Sequence, residues 1–254
     1  MLKRNTQVRR HEIVQLVNQH GEVSVESLSR NFQTSEVTIR KDLASLEKNG
    51  LLLRRYGGAV ALPREVVIDE VSHRVSVQKE LLATEAAKLI KDHHRIVIDS
   101  GSTTAALIQQ LNNKQGLVVM TNTLHIANAL HELENEPTLL MTGGTWDPHS
   151  ESFQGQVAES VLRSYDFDQL FIGCDGIDLS RGTTTFNELT GLSQVMAEVS
   201  REVVVMAESD KIGRRIPNLE LGWDNISVLV TDNGLSEADE QMITEHQVRV
   251  IRAK

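Results

Sequence analysis

Apolar residues follow two rhythms along this chain, and the change between them falls near residue 63. Over the first 62 residues the rhythm is helical. Val8, Ile13, Val14, Leu16 and Val17 fall roughly on one face and predict a helix that Gly21 ends. Ser24 stands where its side-chain oxygen can cap a second helix over Val25–Asn31. After a break at Phe32-Gln33-Thr34, Ser35 is a second cap, and Ile39, Leu43 and Leu46 give the segment EVTIRKDLASLEKNG one inward stripe. That stripe leaves Ser35, Thr38, Arg40 and Lys41 outward, near the start of the third helix. Beyond Gly50, LLLRRYGGAVAL predicts two short strands about a Gly57-Gly58 turn, with Arg54, Arg55 and Tyr56 leading into it. Three helices followed by a hairpin make a winged helix-turn-helix.

Pro63 opens a mixed segment, PREVVIDEVSHRVS, and we place a linker over 63–76. Val77–Lys91 predicts an amphipathic helix with Leu81, Leu82, Ala86, Leu89 and Ile90 on one side. From residue 95 the rhythm changes to short continuous apolar runs: Ile96–Ile98, Leu117–Met120, Thr138–Met141, Leu170–Ile172, Val203–Met206, Val228–Val230 and Val248–Ile251. Between them lie amphipathic stretches such as Thr104–Leu111, Leu124–Leu133 and Phe186–Val199. Continuous apolar strands with helical crossovers predict a mostly parallel sheet covered on both faces. The expected organisation is a DNA-binding domain over 1–62, the linker, and an α/β domain over 77–254.

Charge sharpens this division. The chain is 254 residues long with a formal net charge of −9. Residues 1–62 nonetheless hold ten Lys/Arg against six acids, while the remainder holds sixteen against twenty-nine. A basic head on an acidic body predicts that the head meets phosphate. A recognition helix enters the major groove with its N-terminal residues at the base edges. There Arg40 and Lys41 have the reach for guanine or phosphate, and the small hydroxyls of Ser35 and Thr38 permit close approach. No apolar run approaches the ~18 residues of a membrane-spanning helix. A single cysteine, Cys174, excludes an internal disulfide, so a cytoplasmic protein without membrane attachment is expected. The adjacent His93 and His94 would face apart on a helix and suggest no metal site.

In open α/β sheets ligands gather at the carboxyl ends of the strands. Here those ends read DSGSTT (Asp99, Ser100, Gly101, Ser102, Thr103, Thr104), Thr121-Asn122, Thr142-Gly143-Gly144-Thr145, GCDGID (173–178) and AESDK (207–211). Turns and caps favour such residues in any α/β protein. Five loops of this kind with carboxylates and a lysine predict a site for an anionic small molecule. Backbone N–H groups of 101–104 suit a phosphate, Lys211 supplies a counter-charge, and Asp99, Asp175, Asp178 and Glu188 suit sugar hydroxyls.

The segment VSVESLSRNFQTSEVTIRKDLASLEKNGLLLRRYGGA resembles the N-terminal signature of the DeoR family of bacterial transcriptional regulators. DSGSTT, MTNTLHIANAL, LLMTGGTW, FQGQVAE, FDQLFIGCDGID, TTFNE and SDKIGR resemble that family's effector domain, in order. Within the family the likeness is to repressors of amino-sugar and sugar-alcohol operons, the AgaR and glucitol types. The resemblance implies a winged helix-turn-helix joined to an α/β domain similar to ribose-5-phosphate isomerase. It implies a repressor of a carbohydrate operon that binds double-stranded operator DNA as a dimer or tetramer. It further implies release by a phosphorylated sugar or amino sugar held by Asp99 to Thr104 and Lys211, with Thr121, Asn122, Gly143, Gly144, Asp175 and Glu188 around it. No cofactor, metal or catalytic residue is implied. The isomerases carry a DGADE-like run, whereas DGIDLSRGTTTFNE lacks the following Glu and has Arg181-Gly182-Thr183 where a Lys-Gly-Gly loop is expected. The alternative is an isomerase-like enzyme using Glu188 as its base.

Overall fold

The first helix, α1 (Thr6–His20), ends at Gly21, whose φ of +76° is readily adopted only by a residue without a Cβ. A short strand, β1 (Glu22–Ser24), leads into α2 (Val25–Asn31), where Ser24 Oγ accepts the Ser27 N–H at 3.1 Å. Helix α3 (Glu36–Lys48) starts at Ser35, whose Oγ accepts the Thr38 N–H at 3.2 Å. Strands β2 (Leu53–Arg55) and β3 (Gly58–Val60) then pair antiparallel, and β1 joins them in the order β1-β3-β2. The sequence reading missed β1 and put Gly58 in the turn. Arg55 pairs with Gly58, which therefore belongs to β3, where a Cβ would meet the Val23 carbonyl oxygen at 2.3 Å. This structure, a computed structural model, describes residues 6–48, 52–55, 57–60, 76–148, 150–187, 190–214 and 216–254. Tyr56, Glu188 and nearly all of the 63–76 linker lie outside them.

Ile13, Val17, Leu28, Ile39, Leu43 and Leu46 form the core of this unit with Leu52 and Ala59 beneath the wing. At its edge Asp42, 2% exposed, accepts hydrogen bonds from Arg9 Nε at 2.6 Å and Arg10 Nε at 2.9 Å. Two of the head's ten cations thus tie α1 to α3.

The contact pattern divides the chain between His73 and Arg74. In the second unit α4 (Val77–Ala87) begins at Ser76, whose Oγ accepts the Lys79 N–H. Seven parallel strands follow: β4 (Arg95–Ile98), β5 (Val118–Thr121), β6 (Thr138–Met141), β9 (Phe167–Ile172), β12 (Ser200–Met206), β14 (Val228–Asp232) and β15 (Arg249–Ala253). Each contains or overlaps one of the seven apolar runs. A hairpin of β7 (Thr145–Asp147) and β8 (Ser152–Gln154), and a small antiparallel sheet of β10 (Gly176–Asp178), β11 (Gly182–Thr185) and β13 (Asn218–Gly222), were not foreseen. These strands are short and rich in Gly and Thr, and carry no apolar run.

The sheet order is β15-β14-β12-β9-β4-β5-β6. Successive strand residues point to opposite faces. Ile96 and Ile98 pack with Phe171, Val204 and Leu82 of α4, while Val97 packs on the other face with Leu170, Ile172 and Val205. From β4 the chain proceeds outward through β5 and β6, then returns to β9 on the other side and proceeds through β12, β14 and β15. The strand order therefore reverses between β4 and β9. Crossovers run through α5 (Ser102–Ala105) and a 3-10 turn at Ile108–Leu111, then α6 (Leu124–His131), α7 (Gln156–Leu162), α8 (Gly191–Glu198) and α9 (Glu237–Glu245).

Asp42→Ala should destabilise the N-terminal unit by about 2–3 kcal/mol, because it leaves two guanidinium groups without their buried acceptor. Native-state hydrogen exchange is the measurement: α1 and α3 amides should lose protection while those of β4 and β9 keep it.

Candidate functional site

The N-terminal unit presents the outer face of α3. Ile39, Leu43 and Leu46 are buried, and Ser35, Arg40 and Lys41 are exposed. Ser35 and Thr38 are half engaged in the cap, their hydroxyl oxygens lying 2.9 Å apart. Arg40 donates to Glu36 at 2.6 Å, one turn back, and both are exposed. Such a surface pair holds only about 0.3–0.5 kcal/mol, so another acceptor displaces it readily. On the wing, Arg54 faces Glu47 at 3.6 Å and Arg55 is exposed; on α2, Arg30 is paired with Glu26. The sequence reading overlooked Val37, which is 60% exposed in the first turn of α3. An apolar residue fully outward at that position is the signal that would have marked it.

In the second unit Asp99–Thr104 and Asp175 follow the strands on either side of the point where strand order reverses, Thr121-Asn122 and Lys211 lie at or beyond the ends of the next strands outward, and Glu188 lies outside the described residues. Asp99 leaves β4 and accepts a hydrogen bond from Asn122 Nδ2, after β5, at 2.8 Å. Asn122 is fully buried, and its Oδ1 has no hydrogen-bond partner. Gly101 has φ +130°, which lets the loop turn sharply into α5. The helix expected over Thr104–Leu111 instead splits into this single turn and the 3-10 turn. Thr104 Oγ1 donates inward, at 2.8 Å from both the Asp99 and the Gly101 carbonyl oxygens, so its hydroxyl shapes the loop.

Across the reversal point, Asp175 follows β9 and accepts from Thr185 Oγ1 at 2.8 Å and from the Phe186 N–H at 3.0 Å. Lys211, after β12, donates to the Cys174 carbonyl oxygen at 3.1 Å. Gly143 and Gly144 follow the edge strand β6, two strands from β4, or about 10 Å away. Asp178 does not face a ligand space. Ser180 and Arg181 both bind its carboxylate, which closes the β10–β11 turn. Burial pushes the Cys174 thiol up to about 12, so it is a packed neutral group. Among the described residues no three His, Cys, Asp or Glu side chains are placed to hold a metal ion, and no helix is long and apolar enough to cross a membrane.

Two further groups escaped the sequence reading. Lys79, 7% exposed, extends from α4 and donates to Ser102 Oγ at 2.8 Å. One turn earlier, Ser76 Oγ donates to Glu208 beyond β12. The first turn of α4 is thereby joined to two loops of the sheet edge. A lysine on the same face as Leu82, Ala83 and Ala86 was the available clue. Glu220 on β13 is buried, with Oε1 accepting from Ser193 Oγ of α8 at 3.0 Å. Burial, reinforced by the charge of Asp99, raises its carboxyl to about 8.

Residues 9–65 match the DeoR-like helix-turn-helix domain and residues 74–233 the DeoR C terminal sensor domain. A protein of Escherichia coli O157:H7 named for transcriptional repression of the aga operon is 37% identical over 97% of this chain and 93% of its own. The regulator GlpR of Haloferax volcanii is 32% identical over 96% of each chain. Among solved structures, ribose 5-phosphate isomerase A from Methanocaldococcus jannaschii overlaps 53% of each chain with a TM-score of 0.38 and 20% identity.

Burial also raises Asp99 to about 6, against hydrogen bonds from Ser100 and Asn122 that lower it. A carboxyl held above its unfolded value stabilises the fold only while protonated, and that stabilisation is lost as pH rises through about 4 to about 6. Asp99→Asn should therefore stabilise the protein by about 1–2 kcal/mol at neutral pH. In thermal melts the gain should shrink toward nothing near pH 4 and be largest above the raised pKa.

Proposed function

The chain belongs to the DeoR family of transcriptional regulators, and on that premise we propose that it represses a carbohydrate-use operon until a phosphorylated sugar or amino sugar occupies the carboxyl edge of its central sheet. It is a regulator with a DNA-binding head, as its relatives are, and not an enzyme.

On the DNA side α3 lies in the major groove, with Arg40 and Lys41 at guanine edges or phosphate and Val37 against a thymine methyl. Ser35 and Thr38 allow the helix start to approach closely. Arg54, Arg55 and Tyr56 steady the wing on the backbone. Heads of this kind bind spaced half-sites, so the working form is a homo-oligomer, a dimer or tetramer, in the cytoplasm.

On the effector side the carrying observation is the Lys79–Ser102 hydrogen bond. A buried ammonium already points at the hydroxyl-rich loop where a phosphate would sit, beside the backbone N–H groups of 101–104. Lys211 supplies a second cation two strands away. Asp99, Asn122 and Asp175 then face the sugar, with Thr121, Gly143, Gly144 and Glu188 around it. A ligand shifts an equilibrium only through its different affinity for the two states. Here a phosphate would draw Lys79 from Ser102 and so move the first turn of α4. That turn follows directly, in sequence, the segment that leads from the DNA-binding head.

Two substitutions test the two halves. Arg40→Ala should weaken operator binding by about 1–3 kcal/mol and non-specific binding far less, measured by fluorescence anisotropy on matched duplexes. Equal losses on every sequence would demote Arg40 to a phosphate contact. Lys79→Ala should bind the operator as the parent does and resist release by sugar phosphates in a mobility-shift titration, with Lys211→Ala showing a milder version. Release unchanged in both variants would contradict the assigned site.

A further inference from the structure

One buried acid at the sheet edge has a structural role too small for its position. Glu220 is 9% exposed; Ser193 binds its Oε1, and its Oε2 is buried with no hydrogen-bond partner. Asn122 Oδ1 is a second buried acceptor in the same state. Folded proteins rarely leave such oxygens unmet, and a ligand that brings donors is one reason to keep them. The surroundings narrow what those donors are. Asp99 and Asp175 both act on the Glu220 carboxyl by charge. Lys211 and Glu220 both act on the Cys174 thiol, which places them in one neighbourhood, while Lys211 Nζ is directed to the Cys174 carbonyl oxygen.

We propose that Glu220, with Asp99 and Asp175, forms a subsite for a free ammonium group, so that the effector is a phosphorylated sugar bearing an unacylated amine. The inference rests on the reading that this edge binds a sugar phosphate. A hydroxyl would satisfy one orphan oxygen and leave Glu220 protonated. An ammonium carries three donors and a positive charge, enough to serve Glu220 Oε2, Asn122 Oδ1 and a further carboxylate oxygen together. An N-acetyl group has one N–H, no charge and added bulk. Because Glu220 holds its proton up to about pH 8, arrival of the ammonium expels it. Affinity for the amine then rises about tenfold per pH unit below that value, and a proton is released on binding.

The test is calorimetric titration of the full-length protein with three probes: a hexosamine 6-phosphate, its N-acetyl derivative and the parent hexose 6-phosphate. Each is titrated near pH 6.5 and near pH 7.5, in two buffers of different ionisation enthalpy. The expected result is at least about tenfold tighter binding of the amine near pH 7.5, with proton release, and a flat pH response for the other two. Glu220→Gln should erase the preference and the proton release. Equal or tighter binding of the acetylated or parent sugar would overturn the proposal while leaving the sugar-phosphate reading intact. A preference that survives Glu220→Gln would overturn the role of Glu220. If none of the three binds, the sugar-phosphate reading itself fails and this one with it.

Discussion

In the parallel pairing of β4 with β9, Ile96, Val97 and Ile98 are matched to Gln169, Leu170 and Phe171, and the chain then leaves the two strands in opposite directions. The loops that follow must diverge, and the edge between them cannot be filled by either. A crevice at such a reversal is a property of the topology, before any side chain is chosen. Asp99 and Asp175 are the residues that the two central strands deliver to it. Both faces of the sheet are packed with apolar side chains, so the strand ends are held rigidly and their polar groups have little room to relax.

That rigidity explains the electrostatics. Asp99 and Glu220, buried away from water, hold their protons more tightly than free carboxyls. Two cations are directed to oxygens of this edge, Lys79 to the Ser102 hydroxyl and Lys211 to the Cys174 carbonyl. The first of them lies on α4, whose opening turn is also joined to Glu208 through Ser76. That turn is in this way tied to two loops of the sheet edge.

The seven strands were legible because each is a run of Val, Ile, Leu or Met long enough to cross a covered sheet. The head was legible because its caps, Ser24 and Ser35, and its stripe of Ile39, Leu43 and Leu46 agree with one another. The small sheet of β10, β11 and β13 was not, since GTTT and NLELG owe their extended form to partners distant in sequence. The loops of the site could be named from their position after the strands. Glu220 could not, because it reaches the same neighbourhood from β13, outside the β-α alternation. Asp178 misled for the opposite reason. It sits in the expected stretch, but Arg181 three residues on claims its carboxylate.

The arginines of the head have one more consequence. Arg30, Arg40 and Arg54 each face a carboxylate from their own chain, Glu26, Glu36 and Glu47, while Arg9 and Arg10 share Asp42. Five of the ten Lys/Arg of residues 1–62 thus have an acid of the same unit beside them, while Lys41 and Arg55 stand exposed. Each such acid lowers the charge a phosphate meets, and weak surface pairs yield to a stronger acceptor. The acids of the head thus temper its positive charge without cancelling it.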